Sequence, residues 1–397
     1  MLTFDKLKPS QRDAILKGRQ TQKMARSAHA YVRGSTVQFY DWLATQKIGS
    51  LPEGPAVWIC GDCHAGNLGP LANEDGRISV EIRDLDQTVI GNPAHDLIRL
   101  ALSLATASRG SNLPGVTTAR ILECMIDGYS EALKGNEPAP EIPSTIGTVV
   151  KRSTRRTWKH LAEERIEDVS PKIPIGQKFW PLSKAEKRAV KLLFSEKEAV
   201  KLATSLHSRD DDAEVEVVDA AYWMKGCSSL GLLRVAALVK IGRGRAVEYS
   251  LMDIKEAATA SASRYLDTKM PKDNARRVVE GARQLSPSLG QRMVATRLDD
   301  KSVFVRELLP QDLKFAIEQL TVREAVGVAM FLAGVVGRAH ARQMDDTTRE
   351  SWLRELSRGR TKSLDAPSWL WSSVVALIAS HEIAYLEHCR KYAPSSR

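Results

Sequence analysis

Residues 57–69, VWICGDCHAGNLG, and 80–87, VEIRDLDQ, constrain this chain more than any other stretch. A short apolar run delivers Asp62, four residues intervene, and Asn67 follows; a second apolar run then delivers Asp84. The Asp62 carboxylate is suited to accept a proton from an attacking hydroxyl. Asn67 and Asp84 offer the hard oxygen ligands that magnesium requires. Spacing of this kind predicts a catalytic loop followed by a metal-binding acid.

Cysteine offers a competing reading of the same loop. Cys60-Gly-Asp-Cys63-His64 has the C-x-x-C-H pattern of covalent haem attachment. That chemistry belongs outside the cytoplasm, and the opening residues MLTFDKLKPSQRDAILKGRQ lack the apolar core of a signal peptide. Zinc on Cys60, Cys63 and His64 would need a fourth ligand, and no second C-x-x-C or H-x-x-x-H accompanies them. The five cysteines, Cys60, Cys63, Cys124, Cys227 and Cys389, read as free thiols of a cytoplasmic protein.

At 397 residues the chain is long enough for two lobes or domains. Its longest apolar run, AVGVAMFLAGVV at 325–336, is too short to span a bilayer and reads as a buried helix. The formal net charge of +10 is spread along the chain and reads as a solvated basic surface rather than a nucleic-acid site. One denser cluster, KRSTRRTWKH at 151–160, is a candidate substrate wall together with Trp158 and Trp180.

The pattern predicts helix over most of 9–47 with an interruption at Arg33-Gly34-Ser35. AVWIC at 56–60 and ISVEI at 78–82 read as short buried strands, with a hairpin signal between them at Asp75-Gly76. Helices are predicted from Pro93, over 115–135 and over 184–207. From about 214 the character changes to strands. Residues 215–241 read as strand, glycine turn, strand, and the turn Gly226-Cys-Ser228-Ser229-Leu-Gly231 lets backbone N–H groups approach phosphate oxygens. A hairpin through Gly242-Arg-Gly244 leads to AVEYSLMDIKEA, a strand presenting Lys255. A helix over 273–285 carries Glu280, and SVFVREL at 302–308 runs as a strand into Leu309-Pro310.

These parts resemble small-molecule kinases of the aminoglycoside phosphotransferase and choline kinase type. Such enzymes carry H-G-D-x-H-x-x-N, an I-D-x-D-like strand end and G-D-P-x-x-D-L-A. Here stand Cys60-Gly-Asp-Cys-His-Ala-Gly-Asn67, Ile82-Arg-Asp84-Leu-Asp86 and Gly91-Asn-Pro-Ala-His-Asp96-Leu. Over residues 20–345 the chain is also similar to a bacterial family catalogued as domain of unknown function 2252, through MARSAHAYVRGS, GDCHAGNLG, IRDLDQ, KGCSSLGLLR, DIKEA and RVVEGAR.

The resemblance implies an α+β, protein kinase-like fold of two lobes: a small antiparallel-sheet lobe and a mainly helical one. The parts appear in an unusual order, because the acids precede the glycine turn and lysine. A circular permutation accounts for this, with residues 1–209 and 309–397 forming the helical lobe around a sheet lobe of 210–308. The helix ending at His340 would lead, through 350–397 and the N-terminal helices, back beside the catalytic loop. Two unrelated domains are the competing explanation.

By the same resemblance ATP and Mg²⁺ are the implied cofactors. Asp62 would be the catalytic base, with Asn67 and Asp84 on magnesium and Asp86 as a second metal contact or a turn cap. Lys255 would hold the α/β-phosphates under Gly226, Ser228, Ser229 and Gly231. Glu280 is the candidate ion-pair partner of Lys255, with Glu256 the competitor. Asp96 would brace the loop. His64 is a substrate residue or a packing residue, and Arg33 binds an anionic substrate group or pairs with an internal acid. The expected activity is phosphoryl transfer to a small hydroxyl- or amine-bearing acceptor. Adenylyl transfer to a protein and a non-catalytic nucleotide-binding regulator are the alternatives.

Overall fold

A computed structural model describes residues 9–110, 115–135, 142–165, 172–226, 230–244, 247–312, 321–359 and 366–392. The chain is mixed α+β. It opens with three helices, α1 (Pro9–Met24), α2 (Ala28–Gly34) and α3 (Thr36–Ala44). Ser27 caps α2 by accepting the Ala30 N–H. Four short strands follow: β1 (Val57–Ile59), β2 (Leu68–Ala72), β3 (Ile78–Ile82) and β4 (Val89–Gly91).

Their pairing departs from the simplest sequence reading. The turn at Asp75-Gly76 forms as expected, with Gly76 at a φ of +76°. It joins β3 to β2 and not to the AVWIC strand. β1 pairs instead with β4, Trp58 opposite Ile90. The segment Leu68–Ala72 has too little alternation to announce itself, because all five of its residues are buried.

Helices α4 (Pro93–Gly110) and α5 (Gly115–Lys134) come next, then α6 (Ser144–Thr154) and α7 (Trp158–Arg165). The short strand β5 (Phe179–Trp180) precedes α8 (Lys184–Leu193) and α9 (Lys197–Thr204), so the predicted helix over 184–207 is two helices. Then follow β6 (Val215–Trp223), β7 (Arg234–Ile241), β8 (Glu248–Glu256), α10 (Asn274–Leu285), α11 (Pro287–Gly290), β9 (Met293–Leu298) and β10 (Lys301–Leu308). These strands build one antiparallel sheet in the order β5-β6-β7-β8-β10-β9. Strand β7, RVAALVKI, is apolar almost throughout because both of its faces are covered. Val235, Ala237 and Val239 pack on one side with Val190, Leu193 and Leu202 of α8 and α9. Ala236 and Leu238 pack on the other with Leu161, Phe179 and Trp223. The packed unit around the sheet thus draws in residues before 210.

The chain closes with α12 (Val322–Ala341), α13 (Asp346–Leu356) and α14 (Ser368–Tyr392). Thr321 and Glu324 form a capping box at the start of α12. The largest core is helical, built from Leu97 and Ile98 of α4, Leu122 and Ile126 of α5, Leu332 and Val336 of α12, and Leu370 and Val374 of α14. Helix α14 returns to the first helices: Tyr385 Oη donates to Ala25 O at 3.3 Å, and the rings of Tyr31 and Tyr385 lie 5.9 Å apart. Among the described helices, α14 alone is long and apolar enough to cross a membrane, by length and composition. Its Trp369, Leu370, Val374 and Leu377 are buried in the helical core.

The α5–α12 crossing is close because glycine sits at the contact. A Cβ on Gly128 would lie 2.1 Å from Met330 O, and one on Gly337 2.8 Å from Tyr129 O. Backbone faces backbone there, so neither helix can yield locally. Gly128→Val is expected to destabilise the chain by about 3 kcal/mol or more through overpacking. Gly18→Ala, on an open face of α1, should be neutral or stabilising by up to ~1 kcal/mol. Urea unfolding midpoints of the two variants check this.

Candidate functional site

The loop 60–67 leaves β1 through Gly61, whose φ is +76° and whose Cβ, were there one, would lie 2.2 Å from Gln87 O. Only glycine fits. Asp96, in the first turn of α4, accepts the N–H groups of Cys60 at 2.7 Å and Gly61 at 2.9 Å. Tyr40 Oη donates to Gly61 O at 2.6 Å. Asp96 therefore braces the loop.

Behind Asp96 runs a buried polar chain. His340 Nε2 stands 3.2 Å from Asp96 Oδ2, Tyr129 Oη is 2.8 Å from His340 Nδ1, and Trp352 Nε1 donates to Tyr129 Oη at 3.1 Å. The Asp96 carboxylate accepts from Nε2–H, which leaves Nδ1 to accept the tyrosine hydroxyl proton while Tyr129 Oη accepts the indole N–H. Burial raises the Tyr129 hydroxyl far above its ordinary range. Helices α4, α5, α12 and α13 thus meet behind the loop.

The Asp62 carboxylate points into a cavity of about 300 Å³. Arg99, fully buried, holds Asp62 Oδ1 through Nε at 2.9 Å and Val32 O through Nη2 at 2.6 Å. Asp96 and Arg99 lie three residues apart on one face of α4, so both reach the loop. Asn67 donates its side-chain amide to Asp62 O at 3.0 Å, which leaves its oxygen for the cavity that it lines. Arg83 N–H donates to Asn67 O at 2.6 Å, tying the end of β3 to the loop and placing Asp84 at the same cavity.

From the other side comes the sheet. Lys255 on β8, buried, places Nζ 3.1 Å from Asp84 Oδ1 and also contacts Asp86 Oδ2. Residues separated by 171 positions in sequence therefore meet. Burial raises the Asp84 carboxyl, but Lys255, Arg306 and Arg234 outweigh it and hold it far below the usual range. Asp86 moves the other way, raised by burial and by the neighbouring Asp84 charge. Next to Lys255, Asp253 is clamped by Arg234 at 2.8 and 2.5 Å and by Arg306 at 3.0 and 2.9 Å. Both guanidiniums line the cavity. Burial raises Asp253, yet these two arginines hold it far below the carboxylate range.

A family model described as "Uncharacterized protein conserved in bacteria (DUF2252)" matches residues 12–391. The chain belongs to the DUF2252 family. No curated protein and no solved structure matches it.

The remaining sequence-predicted residues of the DUF2252 chain divide between the cavity and other places. Gly226 and Gly231 adopt φ values of +111° and +110°. Gly226 lines the cavity and its carbonyl accepts Lys23 Nζ at 2.6 Å. Ser228 and Ser229 lie outside the described residues. His64 and Arg33 both line the cavity. Burial first, then the Arg33 and Arg99 charges, hold the His64 imidazole well below its usual range, so it is neutral.

Glu280 does not serve as the partner of Lys255. It faces Arg283 on the same helix, at 3.7 Å. The competitor Glu256 is also elsewhere, bonded to Lys301 at 2.8 Å and to the Leu233 N–H at 2.7 Å. Strand alternation explains the latter: neighbours 255 and 256 point to opposite faces. Helix α10 sends Arg277 inward instead, where it donates to Thr88 O, to Asp86 O at 3.1 Å and to Ala258 O at 2.9 Å. Arg99, Arg277 and the Asp253 cluster were not singled out from sequence. A charged residue inside an apolar stretch (DLIRLAL, SLMDIK) was the signal that could have found Arg99 and Asp253.

The C-x-x-C-H pattern does not assemble a metal site. Cys60 and Cys63 are buried neighbours, and His64 Nε2 faces Asp62 Oδ2 at 4.0 Å. Among the described residues no group of three or more His, Cys, Asp or Glu converges to hold a metal. The set Asn67, Asp84 and Asp86 is entirely oxygen, and Asp86 Oδ1 is buried with no hydrogen-bond partner. Asn67 and Asp84 share the cavity lining while Asp86 contacts Lys255, so the first two fit a hard cation whose remaining positions come from water and phosphate.

The buried histidines give the site a pH signature. Burial lowers His64, His95 and His381, the latter two to about 4. Above about pH 6.5 these groups are neutral in folded and unfolded chains alike and contribute no pH dependence. Below that, the unfolded chain takes up more protons. His95 and His381 are therefore each expected to lower stability by roughly 1–3 kcal/mol as pH drops from about 6.5 to 4, with His64 acting in the same direction. Asp86, raised to about 6, opposes them because the folded chain takes up that proton first. Urea unfolding of the wild-type chain and of His95→Asn and His381→Asn across that window checks it; the same slope in all three would contradict the burial of these rings.

Proposed function

We propose that this DUF2252 protein is an ATP- and Mg²⁺-dependent phosphotransferase acting on a small hydroxyl-bearing acceptor, with a kinase-like, circularly permuted arrangement of two lobes. The observation that carries this reading is the contact of Lys255 with Asp84, which lines the cavity together with Asp62 and Asn67. Other features agree with it. The sheet runs β6-β7-β8 as a meander, with the glycine turn joining the first two strands and the lysine on the third. α10 follows at the point in the chain where a kinase has its lobe-bridging helix. The first and last described helices pack together, which a permuted order requires.

In this reading Asn67 and Asp84 would hold magnesium, which when bound would screen and orient the phosphates. Lys255 leaves the acid pair to bind the α/β-phosphates. Asp62, oriented by Arg99, takes the acceptor's hydroxyl proton as its oxygen bonds to the γ-phosphorus and the bond to the β-phosphate oxygen breaks, releasing ADP. Leu308 and Leu309 border both this cavity and a hollow of about 580 Å³ next to it, which offers room toward the base end.

One observation favours adenylyl transfer as a second reading. Lys225, Arg234 and Arg306 line the same cavity, so phosphates have cationic partners away from Lys255. A nucleotide seated with its terminal phosphates there would present its α-phosphorus to the acceptor.

Lys255→Ala and Asp84→Ala are expected to weaken Mg·ATP binding by about 10- to 100-fold, the loss of one or two charge-assisted contacts. Asp62→Asn should leave binding within a few-fold and lower transfer by ~10²-fold or more. Incubating the protein with γ- and α-labelled ATP in cell extract separates the outcomes. Label from the γ position alone on a small molecule supports phosphoryl transfer. Retention of the α label on a protein supports adenylylation, and no Mg·ATP binding overturns both.

A further inference from the structure

We infer that the acceptor is itself an anion: a hydroxylated small molecule bearing a carboxylate or phosphate, held by Arg33. This deepens the phosphotransferase reading and rests on it.

Arg33 comes from α2 and lines the cavity beside Asp62 and His64. Its Nε is buried with no hydrogen-bond partner. The guanidinium lies flat against Gly66, whose missing Cβ would sit 3.1 Å from Arg33 Cζ and Nη2 and 3.2 Å from Nε. The loop carrying Asp62 thus leaves room for this side chain at the one residue with no side chain of its own. The nearby acid does not answer the charge, because Arg99 already holds Asp62 at 2.9 Å. His64 does not answer it either, since burial and the Arg33 charge keep that ring neutral.

A guanidinium that lines a cavity, with no carboxylate of the described residues bonded to it, is a receptor for a carboxylate or phosphate oxygen. Gly66 and Asp62 stand four residues apart in one tight loop, so one small molecule can reach both. Its hydroxyl would meet Asp62 while its oxyanion meets Arg33. An amine or quaternary ammonium acceptor would put its charge against the guanidinium.

Calorimetry on the full chain at about physiological salt, with ADP·Mg²⁺ saturating, tests this. The probes are sn-glycerol 3-phosphate and glycerate, compared with glycerol and choline. At least one oxyanion is expected to bind 10-fold or more tightly than glycerol and choline, and the phosphate and carboxylate arms identify which group is preferred. Arg33→Gln should weaken that oxyanion at least 10-fold and Arg33→Lys less, with ADP·Mg²⁺ affinity retained as the sign of an intact cleft. If Arg33→Gln fails to fold, Arg33→Lys carries the comparison, and an unchanged oxyanion affinity in it would count against the arginine.

The inference is overturned if neither oxyanion binds, or if glycerol or choline binds as tightly. It is also overturned if Arg33→Gln leaves oxyanion affinity unchanged or reduces ADP·Mg²⁺ affinity by the same factor, which would make it a nucleotide residue. Failure of the wild-type protein to bind ADP·Mg²⁺ is a separate result, and it counts against the phosphotransferase reading.

Discussion

A single buried ammonium group organises this molecule. Lys255 reaches out of the six-stranded sheet and ends between Asp84 and Asp86, which belong to a loop laid down much earlier in the chain. Desolvating a lysine is costly, and the two carboxylates offset that cost only while sheet and loop stay in register. Removing one partner from such a cluster typically costs about 3–5 kcal/mol. The ammonium also offsets the repulsion between these two neighbouring acids.

The loop opposite the lysine is rigid for reasons that involve much of the chain. Asp96 gathers two backbone N–H groups, and His340, Tyr129 and Trp352 extend its hydrogen bonds into α12, α5 and α13. Close approach of α5 and α12 at Gly128 and Gly337 brings that polar line into place. Asp62 is set by Arg99 and Asn67, and β3 is tied to the loop through Arg83. On the sheet side, Asp253 with Arg234 and Arg306 forms a second buried ion cluster, so the cavity lies between two preorganised polar walls.

Much of this was legible in the sequence where local rules dominate. Apolar runs ending at Asp62 and Asp84, the glycine-flanked turn and the strand bearing Lys255 all declared themselves through pattern and turn chemistry. Long-range pairing did not. The choice of β4 and not β3 as partner of β1 depends on the loop path behind Gly61, which no local spacing encodes. Glu280 fitted a kinase plan by position along the chain, yet α10 turns Arg277 inward and leaves Glu280 beside Arg283. Arg99 and Asp253 were missed because a lone charge in an apolar run signals burial without naming its partner.

A crystal structure of the full chain with Mn²⁺ and a non-hydrolysable ATP analogue examines the shared cleft most directly. The account predicts an anomalous peak about 2.1–2.2 Å from oxygens of Asn67 and Asp84, with Lys255 Nζ drawn off the acid pair to within ~3 Å of a phosphate oxygen. A structure with Lys255 still seated between Asp84 and Asp86, and the nucleotide bound elsewhere or absent, would contradict it.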